Sequence, residues 1–268
     1  MDFSKIKLVV SDMDGTLLNS EHQVSSLFLS QFEHLKRNDI HFVAASGRQY
    51  QSILEKLSSI KEDISVIAEN GAIMMFNKET NVLLQLNLVE ISECISRLRK
   101  INDCYIVLCG RKTAYIESED SEFISILGNY YSEVSHVKDL TQVDDDQFVK
   151  IAVFHFKSTE KYVYPGVEDI TDRFQVTVSG QNWMDILHKE ANKSYALKQI
   201  QDHLNITPKE TMVFGDYNND IEMLKLAQFS YAMSNAHPNV KNIANYHTSS
   251  NDDLGVESIL KQVISANS

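Results

Sequence analysis

The 268-residue chain is short of several features, and each shortage excludes a class of protein. It has three cysteines, Cys94, Cys104 and Cys109, with no Cys-x-x-Cys pair, so they read as reduced structural thiols rather than redox or zinc residues. Its histidines show no metal-ligand spacing. There is no Lys/Arg run, and the formal net charge is −12, which argues against a nucleic-acid partner while leaving room for a local positive site for phosphate. No apolar run approaches the ~20 residues of a membrane helix. The amino terminus has no basic segment followed by a long apolar one, because Asp12 interrupts the first apolar run. A cytoplasmic protein with neither membrane nor nucleic acid as partner is expected. Internal repeats and low-complexity segments are lacking. The hydrophobic share of 43% suits a soluble globular protein, and the length suits a core domain plus a second module.

What is present is concentrated at strand ends. Ile6 to Val10 is an apolar, β-branched run and reads as a buried strand, followed by Asp12-Met13-Asp14-Gly15-Thr16. Two carboxylates thus stand two residues apart at a strand's carboxyl end, where ligands bind in open α/β sheets. A free Asp titrates near ~4, so both are anions at neutral pH and need a cation, a shared proton or a solvated loop. Turn chemistry at Asp14-Gly15 is the plainer alternative. Ala44-Ala45-Ser46-Gly47-Arg48 ends a second strand, Phe42 to Ala45. Lys193 opens a helix, Tyr195 to Leu204, and Gly215-Asp216-Tyr217-Asn218-Asn219-Asp220 ends a strand, Thr211 to Phe214.

Strand and helix signals alternate to about residue 70, with helices at Ser25 to Lys36 and Gln51 to Leu57 and a strand at Ile64 to Ala68. Asn70-Gly71 reads as a turn into Ile73 to Phe76, with Val82 to Leu86 as its hairpin partner. A segment rich in hairpin signals follows. Helices are expected at Ile91 to Ile101 and Glu122 to Tyr130, and another between Glu160 and Phe174, disturbed by Pro165. Strands are expected at Tyr105 to Leu108, Ala114 to Glu117 and Lys150 to Phe156, and a pair at Val176 to Ser179 and Met184 to Leu187. Asp144-Asp145-Asp146 reads as a solvated loop. The alternation resumes at Lys193. Two domains follow, with the core built from both ends of the chain.

The four ordered clusters resemble the motifs of the haloacid dehalogenase superfamily, specifically its Cof-type sugar-phosphate phosphatase branch. Glu69-Asn70-Gly71-Ala72, Ala232-Met233-Ser234-Asn235-Ala236 and Asp253-Leu254-Gly255-Val256 also resemble that branch. The resemblance implies an α/β fold: a Rossmann-like core with a mainly parallel sheet, residues 1–84 and 188–268, plus an inserted α/β cap, residues 85–187. It also implies site roles. Asp12 matches the nucleophile that forms an aspartyl-phosphate. Asp14 matches the general acid and then base. Ser46 offers a hydroxyl to phosphate, Gly15 and Gly47 belong to the phosphate-binding turns, and Lys193 supplies positive charge and orients Asp12. Mg²⁺ is the implied cofactor, held by Asp12, Asp216 and the main-chain carbonyl of Asp14, with Asp220 supporting from beside Asp216 or binding through water. Asn219, in the same element, is implied to bind phosphate or substrate.

Weaker candidates have plainer readings. Arg48 can meet phosphate or a sugar hydroxyl, or be an exposed helix-start arginine. Asn70 can contact substrate or be a hairpin turn. Trp183, the single tryptophan, can stack on a sugar, though core packing is favoured. Ser194 and Ser234 stand where the branch commonly has glycine, and either would be strained if its φ were positive. The reading reached is a Mg²⁺-dependent phosphatase of a small phosphorylated metabolite, a monomer or weak homodimer. A phosphomutase of the same superfamily and a non-catalytic sugar-phosphate-binding regulator are the alternatives. Hexose phosphates, flavin mononucleotide and vitamin-precursor phosphates all remain open as substrates.

Overall fold

A computed structural model describes residues 2–267. The first stretch runs β1 (Leu8–Asp12), α1 (Ser26–Arg37), β2 (His41–Ala45), α2 (Tyr50–Lys56), β3 (Ser65–Ala68), β4 (Ile73–Phe76) and β5 (Glu79–Val82). The middle runs α3 (Leu88–Leu98), β6 (Tyr105–Gly110), β7 (Ala114–Ile116), α4 (Ser121–Leu127), β8 (Val134–His136), β9 (Phe148–Phe154), α5 (Thr159–Tyr162), β10 (Phe174–Val178) and β11 (Trp183–His188). The last stretch runs α6 (Lys193–Leu204), β12 (Thr211–Gly215), α7 (Ile221–Leu224), β13 (Phe229–Ala232), α8 (Pro238–Ile243), β14 (Tyr246–His247) and α9 (Gly255–Ala266).

Two sheets result. The larger has the order β14-β13-β12-β1-β2-β3-β4-β5, parallel from β14 to β3 and antiparallel beyond. The smaller, β10-β11-β9-β6-β7-β8, is antiparallel apart from its β7–β8 pair. The fold is thus a Rossmann-like core with an inserted α/β cap. β1 lies between β2 and β12, so the strand order reverses there. The carboxyl ends of these three strands border a topological switch point, the usual ligand crevice of such sheets.

Local chemistry explains the elements. β1 is buried along its whole length, as a parallel strand covered on both faces must be. The Ser25 hydroxyl caps α1 by accepting from the Phe28 N–H, and the helix buries Phe28, Phe32 and Leu35 on one stripe. Phe28 and Phe32 pack on Phe42 of β2 with ring centroids 5.1 and 6.1 Å away. No helix among the described residues is long and apolar enough to cross a membrane.

Several expectations are corrected. The hairpin partner of β4 is Glu79–Val82 rather than Val82 to Leu86. Asn77 and Lys78 both take positive φ and make a two-residue turn, and the resulting edge strand is polar, so apolar content misplaced it. α3 starts at Leu88 because Asn87 and Glu90 form a capping box ahead of the apolar stripe. The expected helix within 160–174 is only a four-residue turn followed by 3-10 turns, since Pro165 lacks the N–H a helix needs. α4 stops at Leu127, which releases Tyr130 and Tyr131 from the helix. Neither Ser194 nor Ser234 is among the residues with positive φ, so neither serine is strained. Asp146 braces its loop by accepting from the Lys112 and Gln147 N–H groups.

Candidate active site

Asp12 is the last residue of β1, buried against Lys193 at the start of α6. The Lys193 ammonium is fully buried and donates to Asp12 Oδ1 at 2.5 Å and to Asp220 Oδ1 at 2.6 Å. Asn192 caps this helix by accepting from the Tyr195 N–H. Gly71 lets the backbone press against that cap. Its φ is +95°, and a Cβ there would lie 2.1 Å from the Asn192 carbonyl oxygen. Lys193 is therefore not a solvent-exposed lysine. It holds Asp12 and Asp220 and is not itself among the residues lining the cavity.

Asp12, Asp216 and Asp220 each bring a carboxylate oxygen within 4.8 Å of the others. Burial, together with the nearby Asp220 charge, lifts the Asp12 carboxyl to about 7 despite Lys193. Burial and the charges of Asp12 and Asp220 push Asp216 well up too. Two carboxylates that resist ionisation in a pocket open to solvent fit a divalent cation, which would relieve their repulsion. Asp220 fits the supporting place. Its Oδ1 takes Lys193, and its Oδ2 accepts from the Asp216 and Tyr217 N–H groups at 2.9 and 3.1 Å. Thr16 donates to Asp216 Oδ1 at 3.1 Å. Gly15, at φ +75°, clears Asp216 Oδ2, which a Cβ would approach to 2.4 Å.

The Asp14 side chain points away from this cluster. The Arg48 guanidinium grips it with two parallel bonds, Nε to Oδ2 and Nη2 to Oδ1, both 2.6 Å. His22 lies 3.3 Å from Asp14 Oδ1. Burial alone would raise this carboxyl, but the bonds from His22 and Arg48 and the Arg48 charge outweigh it and hold it at about 2. In this arrangement Asp14 is an ionised carboxylate. Arg48 is accordingly a buried partner of Asp14, not an exposed helix-start residue, and its Nη1 also donates to the Asn129 carbonyl of the insert at 2.5 Å.

Ser46 lies in the β2–α2 loop, and Gln49, not Ser46, is the helix N-cap residue. Its hydroxyl accepts from the Arg48 N–H at 3.1 Å, which leaves its own proton to donate. Asn70 is placed behind the cavity wall rather than in it. Its Nδ2 donates to Asp185 at 2.7 Å and its Oδ1 accepts from Asn219 at 3.0 Å.

A cavity of about 480 Å³ opens above Asp12, within the range of small-molecule sites. Asp14, Gly15, Ser46, Gly47, Arg48, Asp216 and Asn219 form its charged end. Ile126, Tyr130, Phe154 and Trp183 of the insert also line it, with the Tyr130 ring 5.0 Å from the Arg48 guanidinium carbon. Trp183 packs on Phe154 and Tyr130 at 4.9 and 5.3 Å between ring centroids and also lines the cavity. Sequence reading missed His22, Tyr130, Lys150 and Asp185. For the last two a signal existed: each is a lone charge inside an otherwise apolar strand.

The comparisons agree with this architecture. The haloacid dehalogenase-like hydrolase family model matches residues 9–260. The 5-amino-6-(5-phospho-D-ribitylamino)uracil phosphatase YbjI of Escherichia coli (strain K12) is 29% identical over 97% of this chain and 96% of its own. The crystal structure of SMU.1108c from Streptococcus mutans superposes with TM-score 0.90 at 30% identity, covering 97% of this chain and 99% of that one. The subclass IIB sugar phosphatase BT4131 shares the fold, with TM-score 0.83 at 22% identity, covering 96% of this chain and 98% of its own. With the match running over nearly its whole length, the chain belongs to the haloacid dehalogenase-like hydrolase family.

Proposed function

We propose that this chain is a Mg²⁺-dependent phosphatase that hydrolyses small phosphomonoesters through an aspartyl-phosphate on Asp12. The observation that carries the reading is one juxtaposition: a buried carboxylate gripped by Lys193, beside Asp216, at the floor of the cavity. Asp12, Asp216 and the main-chain carbonyl of Asp14 would hold the ion, with Asp220 bracing them. When bound, Mg²⁺ supplies the charge neutralisation that lets a carboxylate approach a phosphate dianion. Residues 1–84 and 188–268 form the core in this reading and residues 85–187 the cap.

The residues divide the work. An Asp12 oxygen attacks phosphorus while Ser46 and the loop at Gly47 hold the phosphate oxygens. The bond to the leaving oxygen breaks with its electron pair on that oxygen, which takes a proton from Asp14, itself protonated by solvent water once substrate has opened the Arg48 fork. Water then attacks phosphorus and gives a proton back to Asp14, regenerating the Asp12 carboxylate. A panel of phosphorylated metabolites tests this, with inorganic phosphate and the freed alcohol both measured. Phosphate release without isomerised sugar phosphate is expected. Isomerisation without release would make the chain a mutase instead.

The aromatic lining of the cavity favours a leaving group that carries a ring, and the ribitylaminouracil phosphate acted on by the Escherichia coli relative belongs in the panel. Trp183→Leu should lower kcat/KM for ring-bearing substrates roughly tenfold, since a stacked ring is worth ~0.5–1.5 kcal/mol beyond its buried area. Acetyl phosphate, with little for the cap to recognise, should change far less. A common factor across all substrates would return Trp183 to a packing role.

Metal and pH should be linked. A carboxyl at about 7 in the folded chain, against 3.8 for a free aspartate, favours the folded state at low pH; that contribution fades as pH rises from about 4 through about 7. Metal-free protein should therefore lose thermal stability from pH 5 to pH 8. Mg²⁺ should raise Tm more at pH 8 than at pH 5. Calorimetry with chelator and with Mg²⁺ reads this, and a larger gain at pH 5 would contradict the ligand set. Chelator should also silence turnover, and Mg²⁺ should restore it.

A further inference from the structure

Lys150 lies in the middle of β9, on the inserted sheet, with only 2% of its surface exposed. Its ammonium donates to the Gly47 carbonyl at 2.6 Å, pairs with Glu69 Oε2 at 2.6 Å and faces Asp185 Oδ1 at 3.6 Å. The ammonium thus has one hydrogen bond, to the Gly47 carbonyl, and is flanked by the Glu69 and Asp185 carboxylates as ion-pair partners. Burial pushes the Glu69 carboxyl up, while Asp185 and Glu69 hold Lys150 protonated against its own burial.

The Gly47 carbonyl and the Arg48 N–H belong to one planar peptide. Lys150 holds the carbonyl side, and the Ser46 hydroxyl accepts from the N–H side at 3.1 Å. The orientation of this peptide thus decides where the Ser46 proton can point. We propose that Lys150, a residue of the cap, is a positioning residue of the phosphate site, fixing the Gly47–Arg48 peptide so that the Ser46 hydroxyl donates into the cavity. The proposal rests on the reading of Ser46 and Gly47 as phosphate-binding groups.

The surrounding contacts point the same way. The Glu69 and Asn70 N–H groups donate to the Arg48 and Ser46 carbonyls at 3.1 and 3.0 Å, tying the two loops together. Glu69 and Asn70 both have positive φ, 50° and 51°, a conformation that costs free energy and persists only where the surroundings impose it. Asp185 completes the link through Asn70 to Asn219, at 2.7 and 3.0 Å, and so reaches the loop that carries Asp216. A buried ion cluster is a poor way to gain stability, because apolar residues of similar volume often do as well. Here it joins two cap strands to the two core loops at the charged end of the cavity. A cap lysine in this place makes phosphate affinity, and not only substrate choice, depend on the cap.

The test compares wild type with Lys150→Met/Glu69→Gln. The double variant removes both charges together, because Lys150→Met alone would leave Glu69 buried and unpaired. Binding of inorganic phosphate in the presence of Mg²⁺ is measured by calorimetry, alongside Tm and kcat/KM for acetyl phosphate and the metabolite panel. With Tm nearly retained, the Kd for phosphate should rise about 10–100-fold, the range for losing a charged hydrogen bond. The kcat/KM values should fall by one common factor for every substrate, acetyl phosphate included. Unchanged phosphate affinity in the folded variant would overturn the proposal. A changed ranking of substrates at constant phosphate affinity would overturn it too, since Lys150 would then be a specificity residue. Lys150→Arg, which keeps a donor for Gly47, should recover part of the affinity. Because phosphate binding needs no turnover, a chain that binds phosphate but hydrolyses nothing would count against the phosphatase reading and leave this comparison intact.

Discussion

Asp12→Asn abolishes turnover while the chain stays folded. An amide cannot form the acyl-phosphate, and removing a nucleophile costs roughly 10⁴–10⁶-fold in kcat. The fold has reason to tolerate the change. Asp12 is one of three crowded carboxylates, and Lys193 keeps its bond to Asp220 at 2.6 Å. Tm of the metal-free variant should match or exceed that of wild type, because a repulsive neighbour of Asp216 is gone. Borohydride added during turnover should convert residue 12 of the wild type to homoserine and leave the variant unlabelled. Near-normal kcat in Asp12→Asn would remove Asp12 from the chemistry.

The second large effect concerns proton transfer. Asp14→Asn should slow alkyl phosphates by about 10²–10⁴-fold, the usual worth of general acid–base catalysis. An activated aryl phosphate, whose leaving group needs less help, should lose much less. The structure adds a detail to this expectation. Both Asp14 oxygens are held by Arg48, which keeps the carboxylate ionised, so the fork must open before Asp14 can take up or donate a proton. If both substrate types fall equally, Asp14 serves only the geometry of the metal site.

The contrast between these two residues shows what a sequence reveals. Asp12, Asp14, Ser46 and Asp216 were legible because each closes a strand or follows one closely, and parallel strands align their carboxyl ends. A short motif after an apolar run is then enough to place a side chain at the switch point. Lys193 was legible as a charge but not as a buried one, because its burial depends on Asp12 and Asp220, which lie 181 and 27 residues away.

The insert was harder to read for the same physical reason. Lys150 meets Gly47 across 103 residues and Asp185 meets Asn70 across 115, and no local pattern encodes such pairings. The only trace is a charge in an apolar strand, which costs free energy unless a partner waits for it. For Asn70 the sequence offers a substrate contact or an Asn-Gly turn with equal weight, and gives no local sign of the amide's links to Asp185 and Asn219. His22 follows the first motif closely in sequence but reaches Asp14 only through a loop with its own φ at 57°. Strand edges failed where polarity hid them, as at Glu79–Val82.

The most direct test of Asp12 as a covalent carrier is the stereochemical course at phosphorus. A substrate made chiral with oxygen isotopes is hydrolysed in isotopic water, and the configuration of the released phosphate is determined. Two successive in-line displacements, first by Asp12 and then by water, give net retention. Inversion would mean that water attacks the substrate directly and that Asp12 never carries the phosphoryl group.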